Sequence, residues 1–411
     1  MGIAREPASR PRPGSWGVLV AYVMLVAASH VLWVSFASVT LDAAHIFNTT
    51  EISIGLLISI GPLCSALLSI PAGALTDRYG YRTPLLWAGA ATAVFGFARA
   101  FSPSFPILLV LTVGLLVPQP FLINAVADLV NRHFPEDMAA TVTGVGTMSI
   151  FLGITIGLTV TPPLVSSMGV RGSQFVYAGL ALAALAVFVV MAPARAPERL
   201  VDPEELPIRE ALGRVLRSRT LWYLSAILLC GFGFYIGITA WLEEMLRPRG
   251  ISAARAGLVA GLITIAGILG SITLGALSDQ IKRRKPFLIM AGIVAAPALW
   301  LLGHLESFNM LLVTAFFMGF FLLAALPVAI AIVSEDESLG PQVAGTAVGV
   351  ILMAGNLGGV IVVTIMGALK QAKGNFSSGI SFVVVLALVA LAIGLVTPEP
   401  TRRAAPSPAD A

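Results

Sequence analysis

Twelve runs of about twenty mostly apolar residues follow one another along this 411-residue chain, and that is the length an α-helix needs to cross the hydrocarbon layer of a bilayer. They cover residues 16–39, 53–75, 83–101, 105–129, 141–165, 173–192, 221–242, 256–278, 286–303, 309–333, 343–369 and 379–396. Lipid offers no partner to a free backbone amide or carbonyl, so such segments must be helices that satisfy their own hydrogen bonds. The chain is 57% hydrophobic and 11% charged, against about 25% charged residues in a soluble globular chain. The expected fold is an all-α membrane protein of twelve transmembrane helices.

The runs also repeat. Gly73-Ala74-Leu75-Thr76-Asp77-Arg78 and Gly275-Ala276-Leu277-Ser278-Asp279-Gln280 stand 202 residues apart, and each closes an apolar run and opens a basic loop. Upstream, Gly55-Leu56-Leu57 answers Gly257-Leu258-Val259 at the same offset. A repeat of this length in hydrophobic helices implies two homologous six-helix halves related by a pseudo-twofold axis, the plan of a transporter.

With an even number of spans, both termini share a side. Placing them in the cytoplasm puts 18 of the 25 Lys and Arg there, among them Arg5, Arg10, Arg12, Arg132, Arg402 and Arg403. The excess predicts cytoplasmic N and C termini in a multi-pass plasma-membrane protein. The net charge of +4 follows from that asymmetry, so no nucleic-acid partner is expected. The first run is too long for a signal peptide and is read as an uncleaved span. Cys64 and Cys230 fall inside spans and indicate neither a disulfide framework nor a metal site, and no cofactor is expected.

The expected organisation is an N-terminal half over 1–193, a cytoplasmic linker over 194–220, a C-terminal half over 221–398 and a disordered cytoplasmic tail over 399–411. In the linker, Ile208, Leu212, Val215 and Leu216 lie at helical spacing with Arg209, Arg214 and Arg217 between them. That pattern predicts an amphipathic helix on the inner membrane surface. A monomer in the lipid bilayer is expected.

Gly73-x-Leu75-x-Asp77-Arg78-x-Gly80-x-Arg82 between spans two and three, with the partial copy Gly275-x-Leu277-x-Asp279 before Lys282 to Lys285, resembles the loop signature of the major facilitator superfamily. The resemblance covers essentially the whole chain. Read physically, Gly73 lets two helices approach closely. Asp77 is placed to face the N-terminus of span eleven near Val343 or to pair with Arg132, a contact made only while the inner gate is closed. Gly73, Asp77, Arg78, Arg82 and Asp279 are thus candidate gating residues, while Arg78 and Arg82 read equally well as topology anchors.

A narrower resemblance is carried by Val117-Pro118-Gln119-Pro120-Phe121-Leu122-Ile123-Asn124 and Leu32-Trp33-Val34-Ser35-Phe36. Both are similar to the feline leukaemia virus subgroup C receptor-related (FLVCR) branch, whose members move choline and ethanolamine. The resemblance implies substrate contacts from a Trp in span one, a Gln in span four and a Tyr in span seven, here Trp33, Gln119 and Tyr235. Asn131-Arg132-His133-Phe134 departs from the branch, which has a Trp-Phe pair there.

Polar groups at membrane depth are costly and are therefore candidates for function. His30 and Trp33, three apart, share one face of span one. Gln119 and Asn124 lie in span four, Asn356 in span eleven, and Tyr235 at the repeat position of Trp33, where the two aromatics are expected to face each other between the halves. Each also has a packing role open to it. Trp33 reads as an interfacial anchor, His30, Asn124 and Asn356 as interhelical hydrogen-bonding groups, and Gln119 as a partner for carbonyls freed by Pro118 and Pro120. Glu243 and Glu244 are expected at a solvated mouth of span seven. No Asp or Glu occupies the middle third of any run, and His30 is the one deep titratable group, which argues against strong proton coupling. The four histidines are scattered, so an enzyme is not expected. A lining of Trp, Tyr, Gln and Asn without fixed positive charge suits a neutral or amine-type solute held by cation–π contacts and moved by facilitated diffusion. The competing readings are a multidrug or organic-anion exporter and a non-transporting membrane sensor or receptor.

Overall fold

The computed structural model describes residues 11–193, 208–281, 283–335 and 343–398. Arg5, Arg10, Lys282, most of the expected linker and the expected tail lie outside the described residues, as do the side chains of Asp77, Arg209 and Asp279. What is described is helical: α1 (Ser15–Val34), α2 (Thr40–Ile46), α3 (Glu51–Leu56), α4 (Ile60–Tyr79), α5 (Arg82–Ala100), α6 (Phe105–Leu116), α7 (Gln119–His133) and α8 (Glu136–Met191). The chain continues with α9 (Ile208–Val215), α10 (Arg219–Leu246), α11 (Ala253–Ile281), α12 (Lys285–His304), α13 (Phe308–Leu322), α14 (Ala325–Glu335), α15 (Ala344–Lys373) and α16 (Ser377–Val396).

Among the described residues, ten helical stretches are long and apolar enough to cross a membrane. One of them, Val142–Met191, is 50 residues long. At 1.5 Å per residue it would measure about 75 Å if straight, over twice the roughly 30 Å of a hydrocarbon layer. It is not straight: Gly169, at φ 75° and ψ 170°, breaks α8 into two helices at a backbone conformation that favours glycine. The ten do not include α5, a 19-residue helix with Arg82 and Arg99 near its ends.

Two units emerge from packing: Met1–Pro203 with Ile238–Thr264, and Glu204–Gly237 with Ile265–Ala411. The boundary differs from the expected 193/221 division, because the segment 238–264 packs with the first unit. In that unit α1 lies against α8 along a seam of small residues. A methyl on Gly153 would overlap the Ala27 carbonyl oxygen, and one on Gly157 would stand 3.1 Å from the Val31 carbonyl oxygen. Glycine at these positions lets the two backbones touch.

The second unit contains the matching seam between α10 and α15. A methyl on Gly358 would overlap the Leu229 carbonyl oxygen, and one on Gly233 would come within 3.0 Å of the Gly358 carbonyl oxygen. Leu229 is 202 residues after Ala27, so the repeat reaches into the packing. Pro327 in α14 cannot donate to the carbonyl of Leu323, four residues earlier; that carbonyl accepts from Ser271 Oγ of α11 at 3.0 Å instead.

The linker helix corrects one expectation. α9 forms where the apolar spacing predicts it, but its face is not laid on lipid. Ala211 and Val215 are buried in a core with Leu221, Ile332, Val333, Val343, Ala347 and Ile351, and Leu212 packs against it. Leu216 is 40% exposed, and the side chain of Ile208 lies outside the described residues. Burying the stripe against α10, α14 and α15 satisfies the same hydrophobic demand without the membrane surface.

Candidate functional site

Three of the side chains expected at depth, Trp33, His30 and Gln119, lie together in the first unit. The indole Nε1 of Trp33 donates to the Ile58 carbonyl at 2.9 Å, and Gly61 leaves the ring room, since a methyl there would lie 2.7 Å from it. The His30 ring meets Trp33 edge-on with centroids 5.7 Å apart, as the three-residue spacing predicts. His30 Nδ1 donates to the Val26 carbonyl at 2.8 Å, since a carbonyl can only accept. One residue before His30, Ser29 Oγ accepts a long 3.4 Å contact from Gln119 Nε2 at the start of α7.

These groups are tightly covered. Trp33 is 9% exposed, and His30 and Gln119 are 1% exposed. Among the described residues Gln119 reaches across to α1. Asn124 is five residues further on, a rotation of about 140°, so it cannot share that face. It is half-buried, and its Nδ2 donates to the Pro120 carbonyl at 2.8 Å. Asn356 in the second unit does the same toward Leu352 at 2.9 Å. Tyr235, also in the second unit, is buried and packs edge-on to Phe232. Close by is a small cleft lined by Gly231, Phe232, Phe234, Leu322, Leu323 and Leu326, all apolar.

Sequence reasoning missed a buried guanidinium. Arg99 in the last turn of α5 is 0% exposed. Its Nη1 donates to the Leu32 carbonyl at 2.9 Å, its Cζ lies 4.6 Å from the Phe36 ring centre, and Nε and Nη2 have no partner among the described residues. Leu32 also accepts from Ser35 Oγ, to which Gln174 Nε2 donates at 3.2 Å. Arg99 thus sets beside α1 a guanidinium that the expected lining of Trp, Tyr, Gln and Asn did not include. An arginine near the end of an apolar run reads as a snorkelling residue, and only the packing of α1 on α5 turns it inward.

The expected solvated mouth of span seven is also corrected. Glu243 and Glu244 are 5% and 4% exposed. Arg247 grips Glu243 through Nε at 3.0 Å and Nη2 at 3.1 Å, and reaches Glu51 at the start of α3 through Nη1 at 2.9 Å. Thr40, at the start of α2, donates to Glu243. Trp241 fits over Gly55, where a methyl would overlap its ring. The segment 238–249 is thus fastened to α2 and α3 by a two-pronged guanidinium, a strong form of ion pair.

At the opposite end of α1, Asp128 of α7 accepts from the Tyr81 backbone N–H at 2.8 Å and from Arg132 Nε at 2.7 Å. The Tyr81 hydroxyl and His133 Nε2 are 2.7 Å apart, and burial pushes the phenol up to about 12. Ser15 Oγ, 3.3 Å from His133 Nδ1, donates to the His133 carbonyl at 3.0 Å, joining α1 to the group. Arg132 thus has Asp128 as a partner, while the side chain of Asp77, the partner expected for it, lies outside the described residues. Of the motif, Arg78 lies over the Tyr79 ring and Arg82 is half-buried. A methyl on Gly73 would meet nothing within 4 Å among the described residues, so the close helix approach expected there is not seen.

Known proteins give the chain a family. Residues 18–248 and 242–411 match the sequence profile of the Major Facilitator Superfamily. The choline/ethanolamine transporter flvcr2b of Danio rerio is 20% identical over 97% of this chain and 87% of its own. The nitrite extrusion protein of Bacillus subtilis (strain 168) is 25% identical over 86% and 87%. Among solved structures, a bacterial homologue of the human lysosomal transporter Spinster, inward-facing and unoccupied, superposes with a TM-score of 0.73 at 18% identity, covering 94% of this chain and 97% of that one. With both halves of the chain matched and the helical fold in agreement, this integral multi-pass membrane protein belongs to the Major Facilitator Superfamily and is a transporter, not an enzyme.

Proposed function

We propose that the chain is an alternating-access facilitator of a small neutral or amine-type solute, choline or ethanolamine in kind. The observation that carries this reading is the Trp33, His30 and Gln119 group on α1 and α7. An indole held by its own N–H presents a fixed π face, and a fixed face binds an ammonium group without first losing side-chain freedom. The name of the zebrafish relative supports the same solute class. Counting α8 as two crossings at Gly169 and α5 as one gives twelve spans in two six-helix halves. Both termini then face the cytoplasm of a monomeric plasma-membrane protein.

In this orientation the Glu51, Glu243 and Arg247 group lies at the outer end and serves as an outer latch. Asp77, Arg78, Arg82, Asp279 and Gly73 serve the inner gate. No Asp or Glu occupies the middle third of any span, and Asp128 and Glu243 stand near span ends. That favours movement down a gradient.

Arg99 favours a second reading, an organic-anion exporter, because an uncompensated guanidinium beside α1 attracts anions and repels cations. Uptake into proteoliposomes at clamped pH separates the two. Choline or ethanolamine equilibrating in both directions supports the facilitator. If wild type moves neither amine but moves a carboxylate, and Arg99→Met abolishes that movement, the exporter reading replaces it. Protein that binds these solutes without moving them would be a sensor. For the gate, Asp77→Ala is expected to slow transport while leaving membrane insertion intact.

A further inference from the structure

The second copy of the loop motif ends in four consecutive cations, Lys282-Arg283-Arg284-Lys285, where the first copy has Arg78 and Arg82 with three residues between them. The structure sorts the three that it describes. Arg284 is buried, and its guanidinium bonds Ser278 Oγ at the end of α11. Arg283 is exposed and Lys285 half-buried. Both line an open groove whose floor is Pro286, Ile289, Met290 and Ile293. Spacings of three, four and seven put the floor on one face of α12, and Ile293 is 55% exposed.

Because α12 is long and apolar enough to cross the membrane, its uncovered face meets lipid. A cationic rim above an apolar floor, at the head of such a helix, complements a phosphate attached to an acyl chain. Either half alone would be ordinary, a topology charge or a lipid-facing helix, but here they share one groove. We infer that this groove is a binding site for an anionic phospholipid, with the headgroup phosphate between Arg283 and Lys285 and one acyl chain along Ile289 and Ile293. A zwitterionic lipid supplies the same chain and phosphate, but its own cation offsets the attraction at the rim. The site therefore selects on headgroup charge.

The test is retention of phosphatidylglycerol and of phosphatidylcholine by detergent-purified full chain, counted by native mass spectrometry. Each interfacial cation contributes about fivefold in affinity, so Arg283→Gln with Lys285→Gln is expected to weaken phosphatidylglycerol retention roughly thirtyfold and leave phosphatidylcholine unchanged. The control removes equal charge from exposed positions on the same membrane side, Arg214→Gln with Arg217→Gln, and should change retention less than twofold. Equal losses in both double variants, or no loss in the first, would overturn the site. Competition by soluble glycerol phosphate would also overturn it, because the ligand would then be a free phosphate ester. Lys285 is half-buried and the other three substituted side chains are exposed, and an unchanged melting temperature confirms that each variant is folded.

Discussion

The α1/α8 seam and the α10/α15 seam are one joint built twice, and they differ in what surrounds it. In both, a glycine touches a carbonyl at equivalent places, Ala27 and Leu229. The glycine that makes the contact is Gly153 in the first unit, whereas its repeat position in the second is Gly355 and the tight contact has moved to Gly358. Around the seams the chemistry diverges. Ser29, His30, Trp33 and Gln119 in the first unit correspond at the 202-residue offset to Gly231, Phe232, Tyr235 and Phe321 in the second. The packing has kept its small residues, while hydrogen-bonding side chains are concentrated in the first unit and aromatic rings in the second. Scaffold and chemistry are therefore separable, and substitutions should show it.

The largest effect is expected at the seams themselves. Gly153→Val and Gly358→Val each force two backbones apart and should cost about 3 kcal/mol or more, because a backbone carbonyl cannot yield as a flexible side chain does. Folded yield and thermal melting measure this. Tolerance at one seam only would break the equivalence of the two. Next comes Arg247→Gln, which leaves the buried Glu243 carboxylate without its main partner. Losing one member of a buried pair costs about 3–5 kcal/mol, and the partial exposure of Arg247 brings the expectation nearer to 2. Hydrogen exchange should quicken across 238–249 and leave the second unit unchanged.

A smaller effect is expected from Trp33→Phe, which removes the bond to the Ile58 carbonyl and should cost about 1 kcal/mol. His30→Phe, which gives the first seam the residue of the second, tests the comparison more sharply. The protein should still fold, and a collapse would mean that the polar group is part of the scaffold after all. Least of all, Gly349→Ala should be neutral within about 0.5 kcal/mol, since a methyl there meets nothing within 4 Å among the described residues.

Much of this architecture was legible from residues because lipid leaves the backbone few choices. Run length named the helices, and the spacing of His30 and Trp33 named their contact. Local pattern could not say which neighbour would cover a side chain. Arg99 and Glu243 sit near the ends of apolar runs, where solvent is the default expectation, and both are buried by segments distant in sequence. Asp128 was passed over for the same reason, being near the end of span four. The apolar spacing of α9 could not name its partner, because lipid and a protein core make the same demand of a stripe, and Val215 is buried in protein. Gln119 and Asn124 looked alike as polar residues in one span, yet helical rotation assigns them to different faces.

Proteoliposome uptake of choline and ethanolamine by wild type, Trp33→Ala and Asn356→Ala tests most directly the proposal that recognition chemistry is concentrated in the first unit. Loss of the indole face is expected to weaken affinity by roughly 5–30-fold, corresponding to about 1–2 kcal/mol of cation–π contact. Asn356, whose amide is bonded within its own helix, should change affinity less than twofold. Wild type that moves neither amine, or an Asn356→Ala loss as large as that of Trp33→Ala, would contradict the account.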